Sequence, residues 1–191
     1  MPLPPIHKTI KVSLSNVAKI GNVDNAVAIL GVLEKLMLTT KFPKDQSSGI
    51  YREYERTVTK LMASGADPLV FRMQEVDDQL TGERNKKEGI QKYPCKPFHK
   101  SIVELLKSSE LGNNDLIAIG QLIDTTAVPK NHREITEAFD EAVYRVPHDE
   151  MSDELLAIAD KIRERLMSEA EESRAKVNEY VNEALASRVG S

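Results

Sequence analysis

A basic run crosses the middle of the chain: Arg84, Lys86, Lys87, Lys92, Lys96 and Lys100 are opposed within it only by Glu88. Tyr93 and Phe98 are interleaved with these cations and His99 is adjacent. Phosphate contact requires cations gathered on one surface, and an aromatic face can stack on an unpaired base. The spacing permits both, which makes Arg84, Lys86, Lys87, Lys92, Tyr93, Lys96 and Lys100 candidates for a nucleic-acid contact. The alternative is a solvated loop in which Phe98 belongs to the core stripe of the next helix, and no nucleic-acid-binding motif accompanies the run.

A second pattern is acidic. Glu134 and Glu137 are three residues apart; after twelve intervening residues Glu150 and Asp153 repeat that spacing. Carboxylate pairs three apart on neighbouring helices put four acids around one point, an arrangement that holds magnesium against the phosphates of a nucleotide. The spacing resembles that of the MazG-like all-α nucleotide pyrophosphohydrolases, over about twenty residues and on acidic positions alone. The resemblance implies a metal-dependent hydrolase with Glu134, Glu137, Glu150 and Asp153 as ligands. Glu150 and Asp153 also stand where a helix begins after Pro147, and there acidic side chains complement the helix dipole without any metal.

Other chemistry is thinly supplied. His7, His99, His132 and His148 are far apart and form no ligand pair. The single cysteine, Cys95, allows neither an intrachain disulfide nor a cysteine-based zinc site, and reads as a half-exposed bystander in a loop. Glycine-rich phosphate or dinucleotide fingerprints and a nucleophile elbow are absent from the sequence. No cofactor is expected.

The elements that would position these residues are mostly helices. Over 191 residues, 40% hydrophobic and 29% charged with only nine Phe and Tyr together and no Trp, aliphatic side chains must supply the core, which favours helix-on-helix packing. Ile6, Ile10, Val12 and Leu14 form the exception, because they alternate with polar residues at strand spacing behind Pro4 and Pro5. Residues 1–22 therefore read as an extended arm. A helix capped by Asp24 then runs over Ala26–Leu38 with apolar residues round most of its circumference, the expected centre of the core. After a loop over residues 41–49, Ile50, Tyr54, Val58 and Leu61 predict a helix ending at Gly65. Asp67 and Pro68 open the next, with Leu69, Met73, Val76 and Leu80 as its stripe. Pro97 starts a helix that ends at Gly112; Asn113 or Asn114 caps another. Asn131 and Glu134 resemble a capping box for a helix that stops before Pro147.

From Ser152 to about Arg188 there is neither glycine nor proline, which predicts one helix of roughly 50 Å. Leu155, Ala159, Ile162, Leu166, Val177 and Val181 recur along it at helical spacing, a seam that packs either on its own domain or on another subunit. The expected architecture is all-α: a bundle of six or seven helices over residues 23–147, a long C-terminal helix over 148–191 as a candidate oligomerisation element, and the short N-terminal arm.

Charge is divided between the halves. Residues 1–100 hold 16 Lys and Arg against 11 Asp and Glu, while residues 101–191 hold 10 against 19. Such asymmetry suits contacts between opposite ends of two molecules, or between one end and a charged partner. The N-terminal residues lack the continuous apolar core of a signal peptide, and the apolar stretch around Ala26–Leu38 is too interrupted to span a bilayer, so a cytoplasmic protein without membrane contact is expected. The favoured reading is a non-enzymatic helical interaction or assembly protein that forms a homo-oligomer and binds a protein partner. A nucleic-acid-binding protein using residues 84–100 is second, and the metal-dependent nucleotide pyrophosphohydrolase third.

Overall fold

Periodic apolar stripes separated by proline, glycine and asparagine give a helical bundle, seen in a computed structural model that describes residues 2–82, 94–108, 110–128 and 132–189. Eight α-helices form among the described residues: α1 Ile6–Val17, α2 Val23–Thr39, α3 Lys44–Ala63, α4 Met73–Thr81, α5 Phe98–Leu106, α6 Asn113–Thr125, α7 His132–Tyr144 and α8 Asp153–Val189. The architecture is the expected all-α bundle with a long C-terminal helix, but with more helices than the six or seven expected, because the N-terminal segment is itself helical.

That segment is the main correction. Ile10 and Leu14 are fully buried and Val17 nearly so, with Ile6 packed beside them, so the stripe that matters is spaced four, four and three. The alternation of Ile10, Val12 and Leu14 is incidental, and Val12 points outward. Pro5 sits extended just before the first turn, where its missing N–H costs nothing. Thr9 Oγ1 lies 2.8 Å from Thr126 Oγ1, Thr57 Oγ1 donates to the Leu14 carbonyl at 3.1 Å, and the Ala127 N–H donates to the Pro4 carbonyl at 2.9 Å. These bonds and the buried stripe fix α1 in the bundle. One apolar core runs from Ile10 to Leu166, so neither residues 1–22 nor the start of 148–191 stands apart from the helical domain.

α2 is central as expected: Ala26, Leu30, Val32, Leu33, Leu36, Met37 and Leu38 are buried, and the helix packs on α1, α3, α4, α5 and α6. Its cap is Asn22, whose side chain accepts from the Asn25 N–H at 2.9 Å, and Asp24 lies instead in the first turn. α3 starts at Lys44, absorbing residues expected in a loop, since Pro43 opens it and Ser47 Oγ donates back to the Pro43 carbonyl. Gly65 ends it at φ +102°, a conformation that side chains resist. Asp67 and Pro68 make only a single 3-10 turn, with Asp67 accepting from the Leu69 N–H at 3.0 Å; Leu69 is 91% exposed and belongs to no stripe.

Between α2 and α5 the backbone crosses once. The Lys41 N–H donates to the Lys96 carbonyl at 2.7 Å and the Lys96 N–H to the Thr39 carbonyl at 2.8 Å, an isolated parallel bridge. At α6 the cap is Gly112, whose N–H is accepted by Asp115 at 3.0 Å; Asn113, expected as a cap, accepts instead from Ser152 and ties the starts of α6 and α8 together. The capping box expected at Asn131 lies outside the described residues.

Candidate interaction surfaces

The long helix divides into an anchor and a projecting arm. Leu155, Ala159, Ile162 and Leu166 are buried against α6 and α7, and burying each large aliphatic side chain contributes about 1.5–3 kcal/mol. Gly120 lets α6 and α8 approach: a Cβ there would stand 2.3 Å from Ile158 Cγ2 and 3.0 Å from Phe139 Cζ. Polar contacts secure the same stretch. Arg165 lies 3.6 Å from Asp124 and donates to the Ile123 carbonyl at 2.6 Å, while Arg163 reaches Asp140 at 2.8 Å. These four members of the expected seam are therefore occupied by the chain's own core and are not available to another subunit.

Beyond Leu166 the helix leaves the domain. Residues 171–182 are all exposed, including Val177 at 61%, Tyr180 at 74% and Val181 at 46%. Val177 lies about one turn from both Tyr180 and Val181, so the three share a face, and Tyr180 is a large side chain that apolar spacing does not pick out. From residue 167 to 189 the arm measures about 35 Å at 1.5 Å per residue.

Two grooves of similar size lie on the domain. One, of about 540 Å³, runs between α1, α2 and α6 and is lined by Thr9, Val12, Ile20, Ile29, Leu33 and Ala118 among others. The second, of about 530 Å³, lies where α7 and α8 meet, and Asp140, Tyr144, Asp160 and Arg163 reach into it. The first is lined by no charged side chain among the described residues; the second carries two carboxylates.

Sequence reading missed a buried acid. Glu34 on α2 is only 2% exposed, and its Oε1 accepts from the Tyr54 hydroxyl at 2.5 Å and from the Arg72 N–H at 3.2 Å. Burial pushes its carboxyl above the ordinary carboxylate range, partly offset by those two donors. Burial, reinforced by Glu34, also raises the Tyr54 phenol, so the hydroxyl keeps its proton and donates. The signal was present in the sequence: Glu34 lies one turn from both Leu30 and Leu38 on a helix with little polar surface. The cluster borders a shallow cleft of about 250 Å³ with Lys35, Arg72 and Glu110 at its rim. Its bonds tie α2 to α3 and to the start of α4.

Arg84, Lys86, Lys87, Lys92 and Tyr93 lie outside the described residues. Lys96 is paired with Glu104 on α5, Lys100 is exposed, and Phe98 is buried in the core. Glu137 is paired with Arg133 at 2.6 Å, and Glu134, Glu150 and Asp153 are exposed. Among the described residues no group of three or more His, Cys, Asp or Glu side chains is placed to hold a metal ion, so the four-carboxylate centre that the pyrophosphohydrolase resemblance implies is not assembled. Cys95 is half-buried and accepts from Gln79 Nε2 at 3.1 Å. No described helix is long and apolar enough to cross a membrane. Compared with protein-family models, with curated proteins and with solved structures, the chain matches none.

Proposed function

We propose that this chain is a non-enzymatic assembly protein that self-associates through the projecting half of α8 and engages a macromolecular partner with its remaining surface. The observation that supports this reading is the exposed Val177, Tyr180 and Val181 face on an arm that makes no use of its own domain. An isolated helix is marginal in water, and in proteins most helical stability comes from packing of an apolar face. A continuous helix that leaves its domain with such a face outward gains that packing from another molecule.

Sedimentation equilibrium tests the proposal. Full-length protein should be oligomeric at micromolar concentration, and removal of residues 168–191 should yield a monomer that keeps the core helices, because Leu166 is the last anchor residue. A full-length chain that sediments as a monomer at high micromolar concentration overturns it.

A further inference from the structure

The stripe that seats the anchor does not end at Leu166. Ala170, Ser173, Val177 and Tyr180 continue it at steps of four and three, with Val181 beside Val177, so the exposed face of the arm lies in line with the face that α6 and α7 cover lower down. Between the bundle and Val177 this face carries only the small Ala170 and Ser173, which let a second helix approach closely. Arg174 and Lys176 border the face, where their aliphatic stems extend its apolar edge and their charged ends reach water. Glu172 and Glu179 lie on the opposite side of the helix. The large apolar side chains occupy a short length, since residues 177 to 181 span about 6 Å at 1.5 Å per residue. A patch so short meets a copy of itself when two arms cross at its middle.

The anchor sets the direction of that crossing. A second arm running parallel on this face would continue, below residue 166, into the space held by α6 and α7, because α8 has neither glycine nor proline to bend it aside. An antiparallel arm carries its own bundle to the far end instead. With the crossing at residue 179, the partner's Val189, ten residues past it, comes level with residue 169, ten before it, so the partner helix stops short of Leu166 and clears the bundle. We infer that two copies of this chain pair through their α8 arms, antiparallel, about a two-fold axis near residue 179, with Val177, Tyr180 and Val181 of each arm packed on the same three residues of the other. This rests on the assembly reading above and names the partner surface and its direction. The Tyr180 rings supply much of the apolar burial while their hydroxyls stay at the wet edge. One patch meets itself, so the contact closes as a dimer and does not propagate into a filament.

The test uses full-length protein carrying Cys95→Ser, with a single new cysteine at Val177→Cys or at Ala170→Cys, and a short thiol-specific bifunctional linker. Across the antiparallel contact the two 177 positions stand about 6 Å apart along the axis, whereas the two 170 positions stand about 27 Å apart, eighteen residues at 1.5 Å each. Covalent dimer should therefore form with Val177→Cys and not with Ala170→Cys. In sedimentation, Val177→Asp with Tyr180→Asp should weaken the dimer at least tenfold, and circular dichroism should show the bundle retained, because both positions are exposed. Cross-linking through Ala170→Cys, which shows parallel arms, overturns the inference while the assembly reading stands. So does cross-linking at neither position in a chain that still sediments as an oligomer, which shows the arm seated elsewhere on the second copy. A dimer that survives Val177→Asp with Tyr180→Asp undiminished overturns it as well. A monomeric full-length chain removes both readings at once.

Discussion

Replacing Tyr54 with phenylalanine isolates the interaction between α2 and α3 most cleanly. The ring is fully buried and remains, so no cavity opens, and the single change is loss of the hydroxyl that donates to Glu34 Oε1 at 2.5 Å. Glu34 is left with the Arg72 N–H at 3.2 Å. A hydrogen bond to a charged group is worth about 1.5–3 kcal/mol and a neutral one about 0.5–1.5 kcal/mol. Since burial raises the Glu34 carboxyl above its ordinary value of 4.5, the folded chain holds this proton to higher pH than the unfolded chain does. Stability therefore falls as pH rises from about 4.5 through the folded-state value, since there the unfolded state binds fewer protons than the native state. Losing the Tyr54 donor raises the carboxyl further, so the cost of the substitution grows with pH. Urea unfolding followed by circular dichroism should give a loss of about 0.5–1.5 kcal/mol with the acid protonated, rising toward about 3 kcal/mol where it is ionised. For a chain of this length the larger figure corresponds to a fall in Tm of roughly 6–12 °C. A loss that stays below about 0.5 kcal/mol from about pH 5 to about pH 9 refutes the reasoning, because it would mean that the hydroxyl and the carboxyl are not joined.

Three further outcomes follow from the same packing. Glu34→Gln keeps an acceptor for Tyr54 and removes the titration, so the fall in stability above pH 4.5 should flatten in pH-dependent melts. Leu33→Ala, at a position 1% exposed on α2, should cost about 2–5 kcal/mol in the same urea assay, and a change below about 1 kcal/mol would mean that α2 is not the centre of the core. Gly120→Ala should cost about 1–3 kcal/mol, read in thermal melts, because its methyl collides with Ile158 and Phe139.

The sequence carried the bundle and lost some of its details for identifiable reasons. α2 and α8 were legible because one is almost wholly apolar and the other runs long without a breaker. α1 was misread because Ile6, Ile10, Val12 and Leu14 satisfy two periods at once. Only the position of Val17, one helical step further, favours the period of 3.6. Leu69 follows a good cap at helical spacing, yet Asp67 and Pro68 stabilise a single turn as readily as a helix. The candidate surfaces were legible only in part. Leu155, Ala159, Ile162 and Leu166 have the same spacing whether they face the chain's own helices or another subunit's, and periodicity cannot distinguish the two. Tyr180 went unnoticed because its ring lies between the spaced positions Val177 and Val181. The place of Glu34 among Leu30 and Leu38 is legible from spacing, but its bonding is not, because its partner Tyr54 is twenty positions away and its donor Arg72 thirty-eight.

The uninterrupted passage of α8 from anchor to arm has a mechanical consequence. Anchor and arm share one hydrogen-bonded rod, so tension or torque applied near residue 180 is not absorbed by a hinge but delivered to the contact between Gly120 and Ile158 and to the Arg163–Asp140 and Arg165–Asp124 pairs. A close-packed interior transmits such strain rather than yielding locally. The arm is thus a lever with its fulcrum in the domain core, and a load borne at its tip bears on the seats of α6 and α7.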